Sequence, residues 1–152
     1  MFNTSLRIVN NRADAEDVLQ ESFTAAFQYL HEFDHSSAFG AWFKRIVVNK
    51  SIDVLRRRKG NIVEMDEAQL HGLPDNEPAD EESIRFKVET IKKAIVQLPN
   101  GYRTVLSLYL FEGYDHDEIS EIMKITPTTV RTQYHRAKIK LLNLIQQEVL
   151  HD

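Results

Sequence analysis

The stretch ADAEDVLQESFTAAFQYLHEF, residues 13 to 33, returns an apolar residue every three or four positions, at Val18, Leu19, Phe23, Ala26, Phe27 and Leu30. That period is helical and puts Asp17, Gln20, Glu21, Thr24 and Gln28 on the other side. Asp14 suits the N-cap of this helix, with Asp17 three residues on. A second helix is expected from just after Ser36 or Ser37, with Phe39, Phe43 and Ile46 as its core stripe, running through AWFKRIVVNKSIDVLRRRK to a stop at Gly60. Downstream, SIRFKVETIKKAIVQL is a helix closed by Pro99, and NGYRTVLSLYLFEG one closed by Gly113. DHDEISEIM makes a short helix, and another begins at Pro127. No strand alternation competes and no internal repeat is present, so the fold class is all-α.

Composition divides this helical chain in two. With 152 residues, 42% hydrophobic and 28% charged, it can form one ordinary domain or two small ones. Residues 1–60 carry nine Lys/Arg against seven Asp/Glu, residues 61–90 two against nine, and residues 91–152 eight against seven. GNIVEMDEAQLHGLPDNEPADEES, residues 60 to 83, combines glycines, prolines and acids without apolar periodicity, the composition of a flexible linker. The expected organisation is an N-terminal helical bundle over 1–60, an acidic linker over 61–83 and a C-terminal four-helix domain over 84–152. No apolar run approaches the ~20 residues needed to cross a bilayer, and the first residues lack the charged and apolar segments of a signal peptide. Zero cysteines exclude disulfides and thiolate metal sites and fit a cytoplasmic protein.

The chain is acidic overall, with a formal charge of -4, yet the window from Ile122 to Gln147 holds no acid and five Lys/Arg. A short helix over about 117–123, the turn KIT and a helix opening at Pro127 have the size of a helix-turn-helix. Thr126 suits the N-cap and Pro127 the first helical position. Steps of ~100° put Val130, Tyr134, Ala137 and Leu141 on one face and Thr128, Arg131, Thr132 and His135 opposite. A polar, basic stripe backed by a core stripe is what a major-groove helix requires. Arg can bond guanine O6 and N7, Thr can use its hydroxyl or methyl, and Arg136, Lys138 and Lys140 can reach phosphates. A basic stripe alone is more often a solvated face; the turn and cap spacing tip the balance to DNA. Lys124 stands where glycine is common, and a left-handed backbone there costs about 1 kcal/mol.

Other constellations favour structural roles. Trp42 lies in an apolar helical stripe and is expected in the core. His31 and His35 lack a third fixed ligand, so no metal site is expected. Asp115, His116 and Asp117 stand where a helix begins and read as capping groups. No phosphate loop, nucleophile elbow or paired catalytic carboxylates are present, so neither an enzyme nor a cofactor is expected.

Three segments, DAEDVLQESFTAAFQYL, FGAWFKRIVVNKSIDVLRRRK and LPNGYRTVLSLYLFEGYDHDEISEIMKITPTTVRTQYHRAKIKLL, resemble in order and in register the extracytoplasmic-function group of bacterial sigma factors. The resemblance covers nearly the whole chain outside the linker. It implies a transcription initiation factor that docks on core RNA polymerase through Asp17, Gln20 and Glu21. It also implies that a loop from about Phe33 to Ala38 captures an unstacked base of the -10 element, giving Phe33, Ser37, Lys44, Asn49, Lys50, Arg56 and Arg57 as contacts to that element. Arg58 and Lys59 would add to the phosphate field. The -35 element would be met by Thr128, Thr129, Arg131, Thr132, His135, Arg136 and Lys138. Core RNA polymerase and promoter DNA are the implied partners, with room for an anti-sigma factor. Family members begin with a longer first helix, of which Phe2, Leu6 and Ile8 resemble the end; exposed apolar surface on the first domain, and self-association through it, are therefore expected. The alternative is a helix-turn-helix regulator that binds duplex DNA alone, as a dimer.

Overall fold

A computed structural model describes residues 1–59 and 88–151, so the linker expected over 61–83 lies outside the described residues. All regular structure among the described residues is helical. The chain divides into two compact units, Met1–Ile62 and Val63–Asp152.

The first unit packs α1 (Phe2–Val9), α2 (Arg12–Gln28) and α3 (Phe39–Lys59), with a single 3-10 turn (Leu30–Glu32) after α2. Asn10 ends α1 in the left-handed region, φ 53, and Asn11 starts α2 by accepting the Asp14 amide at 3.0 Å. The expected Asp14 cap is thus displaced: an Asn three residues upstream takes the orphan amide. Asp14 is released to pair with Arg58 at the far end of α3, and Arg58 also donates to the Val9 carbonyl at 3.1 Å. One guanidinium therefore ties the end of α3 to both other helices, and Arg58 is not a free phosphate contact as the sequence suggested.

The core of this unit is Ile8, Val9, Ala15, Val18, Ala26, Phe43, Val47, Val48, Ile52 and Leu55. On α3 these recur three or four residues apart, with Val47 and Val48 adjacent, the spacing of a buried helical stripe. Ser5 and Ser51, both fully buried, let α1 approach α3 closely, and the Ser51 hydroxyl lies 2.8 Å from that of Ser5 and 2.8 Å from the Val47 carbonyl. The expected apolar face of α2 is corrected. Its buried line is Ala15, Val18, Ser22 and Ala26, while Phe23, Phe27 and Leu30 are 51%, 79% and 48% exposed. Phe23 and Phe27 each follow a buried small residue and so sit ~100° off the buried line, Phe23 at its edge with its ring 4.9 Å from that of Phe43 and Phe27 more exposed. Phe39, expected in the core, is likewise half exposed.

The second unit contains α4 (Val88–Ile95), α5 (Asn100–Leu106), a π-helical turn (Ser107–Phe111), α6 (His116–Met123) and α7 (Pro127–His151). Ala94, Ile95, Leu98, Tyr102, Leu106, Ala137, Leu141 and Ile145 form its core, with α7 packed against α4, α5 and α6. The buried Arg103 braces the turn between α4 and α5, donating to the Leu98 carbonyl at 3.0 Å and to Asn100 Oδ1 at 2.6 Å. The helix expected to run to Gly113 widens over its last turn, where the Glu112 amide bonds the Ser107 carbonyl at 3.2 Å, five residues back. Gly113 then takes φ +77, a backbone suited to glycine.

Candidate nucleic-acid interface

The Asp115 carboxylate accepts the Glu118 amide at 2.8 Å while the Glu118 carboxylate accepts the Asp115 amide at 3.1 Å, so two donors at the start of α6 are met reciprocally. This is the capping role the sequence suggested for Asp115. α6 stops at Lys124, which adopts φ 58 and ψ 45, the left-handed turn expected at that lysine. The Ser120 hydroxyl donates to the Ile125 carbonyl at 2.6 Å and secures the turn from inside. Thr126 then caps α7, its Oγ1 accepting the Thr129 amide at 3.2 Å, with Pro127 at the first helical position.

This turn sets the rotation of α7. Val130, Ala137 and Leu141 are buried, and Tyr134 is half-buried beside Tyr109 and His116, at ring separations of 4.7 and 5.3 Å. Thr128, Arg131, Thr132 and His135 are exposed on the opposite side, as the periodicity predicted, and Arg136 is exposed beside them. The Thr132 hydroxyl is bonded to the Thr128 carbonyl at 3.1 Å. Thr129 stands apart: it is half-buried, its hydroxyl 2.8 Å from that of Thr126, so its side chain serves the cap. Lys138 is half-buried along the flank. Gln133, fully buried, is a polar core position that the face assignment did not anticipate.

On the first unit, Asp17, Gln20 and Glu21 are exposed along α2. Phe23 and Phe27 adjoin them, and these two rings are the surface residues the sequence missed by assigning them to the core. α2 buries only four positions against α1 and α3, Ala15, Val18, Ser22 and Ala26, and the larger number of apolar residues on it was the available signal. Past α2, Phe33 packs on Trp42 and Phe39, with ring centroids 5.2 and 5.9 Å apart, and His35 stands edge-on to Phe33 at 4.6 Å. Trp42 is half-buried, one side on the core and the other on this loop. Ser37 is exposed.

Farther along α3, Lys44, Lys50 and Arg56 are half-buried, and Asn49 and Arg57 exposed. Arg56 is 3.5 Å from the Asp53 carboxylate. Glu21, Lys50, Asp53, Arg56 and Arg57 line one concavity of ≈ 420 Å³, which brings an acid of α2 beside three cations of α3. Among the described residues no helix is long and apolar enough to cross a membrane.

The geometry agrees with comparisons to known proteins. Sigma-70 region 2 matches residues 2–60 and sigma-70 region 4 matches residues 89–141. The RNA polymerase sigma-H factor of Pseudomonas aeruginosa is 34% identical over 142 residues, covering 88% of this chain and 74% of its own length. The ECF RNA polymerase sigma factor SigW of Bacillus subtilis is 30% identical over 147 residues, covering 91% and 79%. In fold, the chain is similar to the sigma factor RpoE of Bartonella quintana, crystallised in complex with the anti-sigma factor NepR, with a TM-score of 0.64, 19% identity and coverage of 95% and 89%. Two helical units that match regions 2 and 4, with relatives named as sigma factors over most of the chain, place it in the extracytoplasmic-function group of the sigma-70 family: it is a transcription initiation factor that acts with core RNA polymerase at promoters.

Proposed function

We propose that the two units divide promoter recognition between them. α2 docks on core polymerase through Asp17, Gln20 and Glu21, with the exposed rings of Phe23 and Phe27 supplying the apolar anchors that a polar stripe lacks. The loop from Phe33 to Ala38 receives an unstacked base of the -10 element; Ser37, Lys44, Asn49, Lys50, Arg56 and Arg57 meet the strand around it. α7 reads the -35 element with Thr128, Arg131, Thr132 and His135, while Arg136 and Lys138 hold phosphates and Thr129 caps the helix.

The observation that carries this assignment is the exposed stripe of Thr128, Arg131, Thr132 and His135 on a helix whose rotation is fixed by the Lys124 turn and the Thr126 cap. The chain works by binding alone, in the cytoplasm, and polymerase performs the chemistry; residues 61–83 tether the units. An anti-sigma partner, of the kind RpoE carries, would compete for these same surfaces. Free chain would bury its exposed α2 rings by self-association. The test is co-elution with core polymerase on size exclusion, beside a Gln20→Ala/Glu21→Ala variant: loss in the variant supports the docking face, and equal co-elution refutes it.

A further inference from the structure

Asp34 carries a negative charge in the middle of a loop that, on the reading above, receives DNA. Electrostatics alone would remove it, because every nearby phosphate is repelled. Its contacts supply a reason for it. Asp34 Oδ1 accepts both the Ser36 amide at 2.9 Å and the Ser36 hydroxyl at 2.6 Å, closing a turn from residue i to residue i+2 around His35. Within that turn His35 takes φ 60, a backbone that non-glycine residues enter only at a cost, though His does so more readily than most. This conformation places the His35 ring against Phe33, edge to face at 4.6 Å and 61°, and Phe33 is itself wedged against Trp42 and Phe39.

We propose that Asp34 is a positioning residue that folds the base-receiving loop before DNA arrives, holding His35 left-handed so that His35 and Phe33 form the wall against which the unstacked base is read. The inference rests on the loop-capture reading and deepens it. Ser36 bonding from its hydroxyl, then from its amide, holds the Asp34 carboxyl below its ordinary value, as expected of a carboxylate that accepts both bonds. A wall built beforehand spares the complex the ordering of a loop, which is where such a residue contributes to affinity and to choice of base.

Asp34→Asn keeps the Oδ1 acceptor and removes the charge; Asp34→Ala removes both. Holoenzymes assembled from core polymerase and the full chain are offered a pool of randomised single-stranded DNA, and the bound fraction is sequenced. The expected result is that wild type and Asn concentrate one base at one position, while Ala flattens that preference about fivefold. Hydrogen exchange at the Ser36 amide of the free chain adds a readout independent of DNA: protection in wild type and Asn, and its loss in Ala. Ala matching Asn in both readouts overturns the proposal. Phe33→Ala and His35→Ala separate the two levels. If both leave base preference intact, loop capture itself is wrong; if they abolish it while Asp34→Ala does not, only the positioning role falls.

Discussion

Phe27 provides the clearest separation between a residue that holds the fold and one that holds a partner. It is 79% exposed, so only about a fifth of its surface is withdrawn from water in the free chain. Full burial of a Phe side chain is worth about 1.5–3 kcal/mol, so Phe27→Ala removes about 0.5 kcal/mol of packing. The higher helix propensity of Ala inside α2 returns a similar amount. Thermal unfolding of the monomer, at concentrations below self-association, should therefore be unchanged within about 0.5 kcal/mol. Docking on polymerase is different, because the remaining four-fifths of the ring is available there. Burying it is worth about 2 kcal/mol, or about thirtyfold in Kd. Fluorescence anisotropy of labelled chain titrated with core polymerase measures that change, and calorimetry of the free chain measures the stability. Phe23 is the internal comparison: half exposed and 4.9 Å from the Phe43 ring, it should lose on both measurements when truncated. A Phe27→Ala chain that melts easily yet binds polymerase normally would refute the reasoning and return the ring to the core.

On α7, Arg131→Ala should relax base preference at one position by about 1–3 kcal/mol, whereas Lys138→Ala should weaken binding evenly across sequences and reduce the salt slope by about one; holoenzyme binding to a library of upstream elements at several salt concentrations distinguishes them, and identical behaviour would unseat the recognition stripe. On α3, Arg58→Ala should cost about 1 kcal/mol of stability because Asp14 and the Val9 carbonyl lose their partner, while Arg57→Ala should spare the melting temperature and weaken strand binding. Asp115→Ala should cost about 1 kcal/mol in urea unfolding through loss of the α6 cap. Lys124→Gly should stabilise by about 0.5 kcal/mol, the relief of a left-handed lysine less the added entropy of the unfolded chain; a destabilised variant would contradict the strain assigned to that turn.

What the sequence displayed well was whatever one helix decides for itself. The opposed faces of α7 follow from 100° steps, and Thr126, Pro127, Asp115 and Lys124 act through neighbours within four residues. What it concealed depends on which neighbour a helix meets. α2 carries two adjacent lines, and the period does not say which one is buried; the line with the small residues Ala15, Ser22 and Ala26 is buried, and Phe23 and Phe27 are left half or mostly exposed beside it. Arg57 and Arg58 are indistinguishable as letters, but a step of 100° sends one to solvent and the other to Asp14. Ser51, Arg103 and Gln133 look like surface residues until their burial is known, and with it the distant Ser5 partner of Ser51.

The charge distribution gives these two interfaces their logic. A chain of net charge -4, with nine acids against two bases over residues 61–90, has little general attraction for DNA, and α7 offers only a few phosphate contacts. Each phosphate neutralised contributes a salt slope of about 0.9, so binding through α7 alone fades at physiological ionic strength. On the proposed assignment, docking α2 on polymerase would change the situation without any new contact on α7, because a covalently joined second unit would be held near its element at the effective concentration that linked modules reach, on the order of millimolar. On that assignment the weakness of each half in isolation would make promoter recognition conditional on polymerase, and the absence of acids from Ile122 to Gln147 would leave the small favourable term on α7 without a repulsive charge at its own surface.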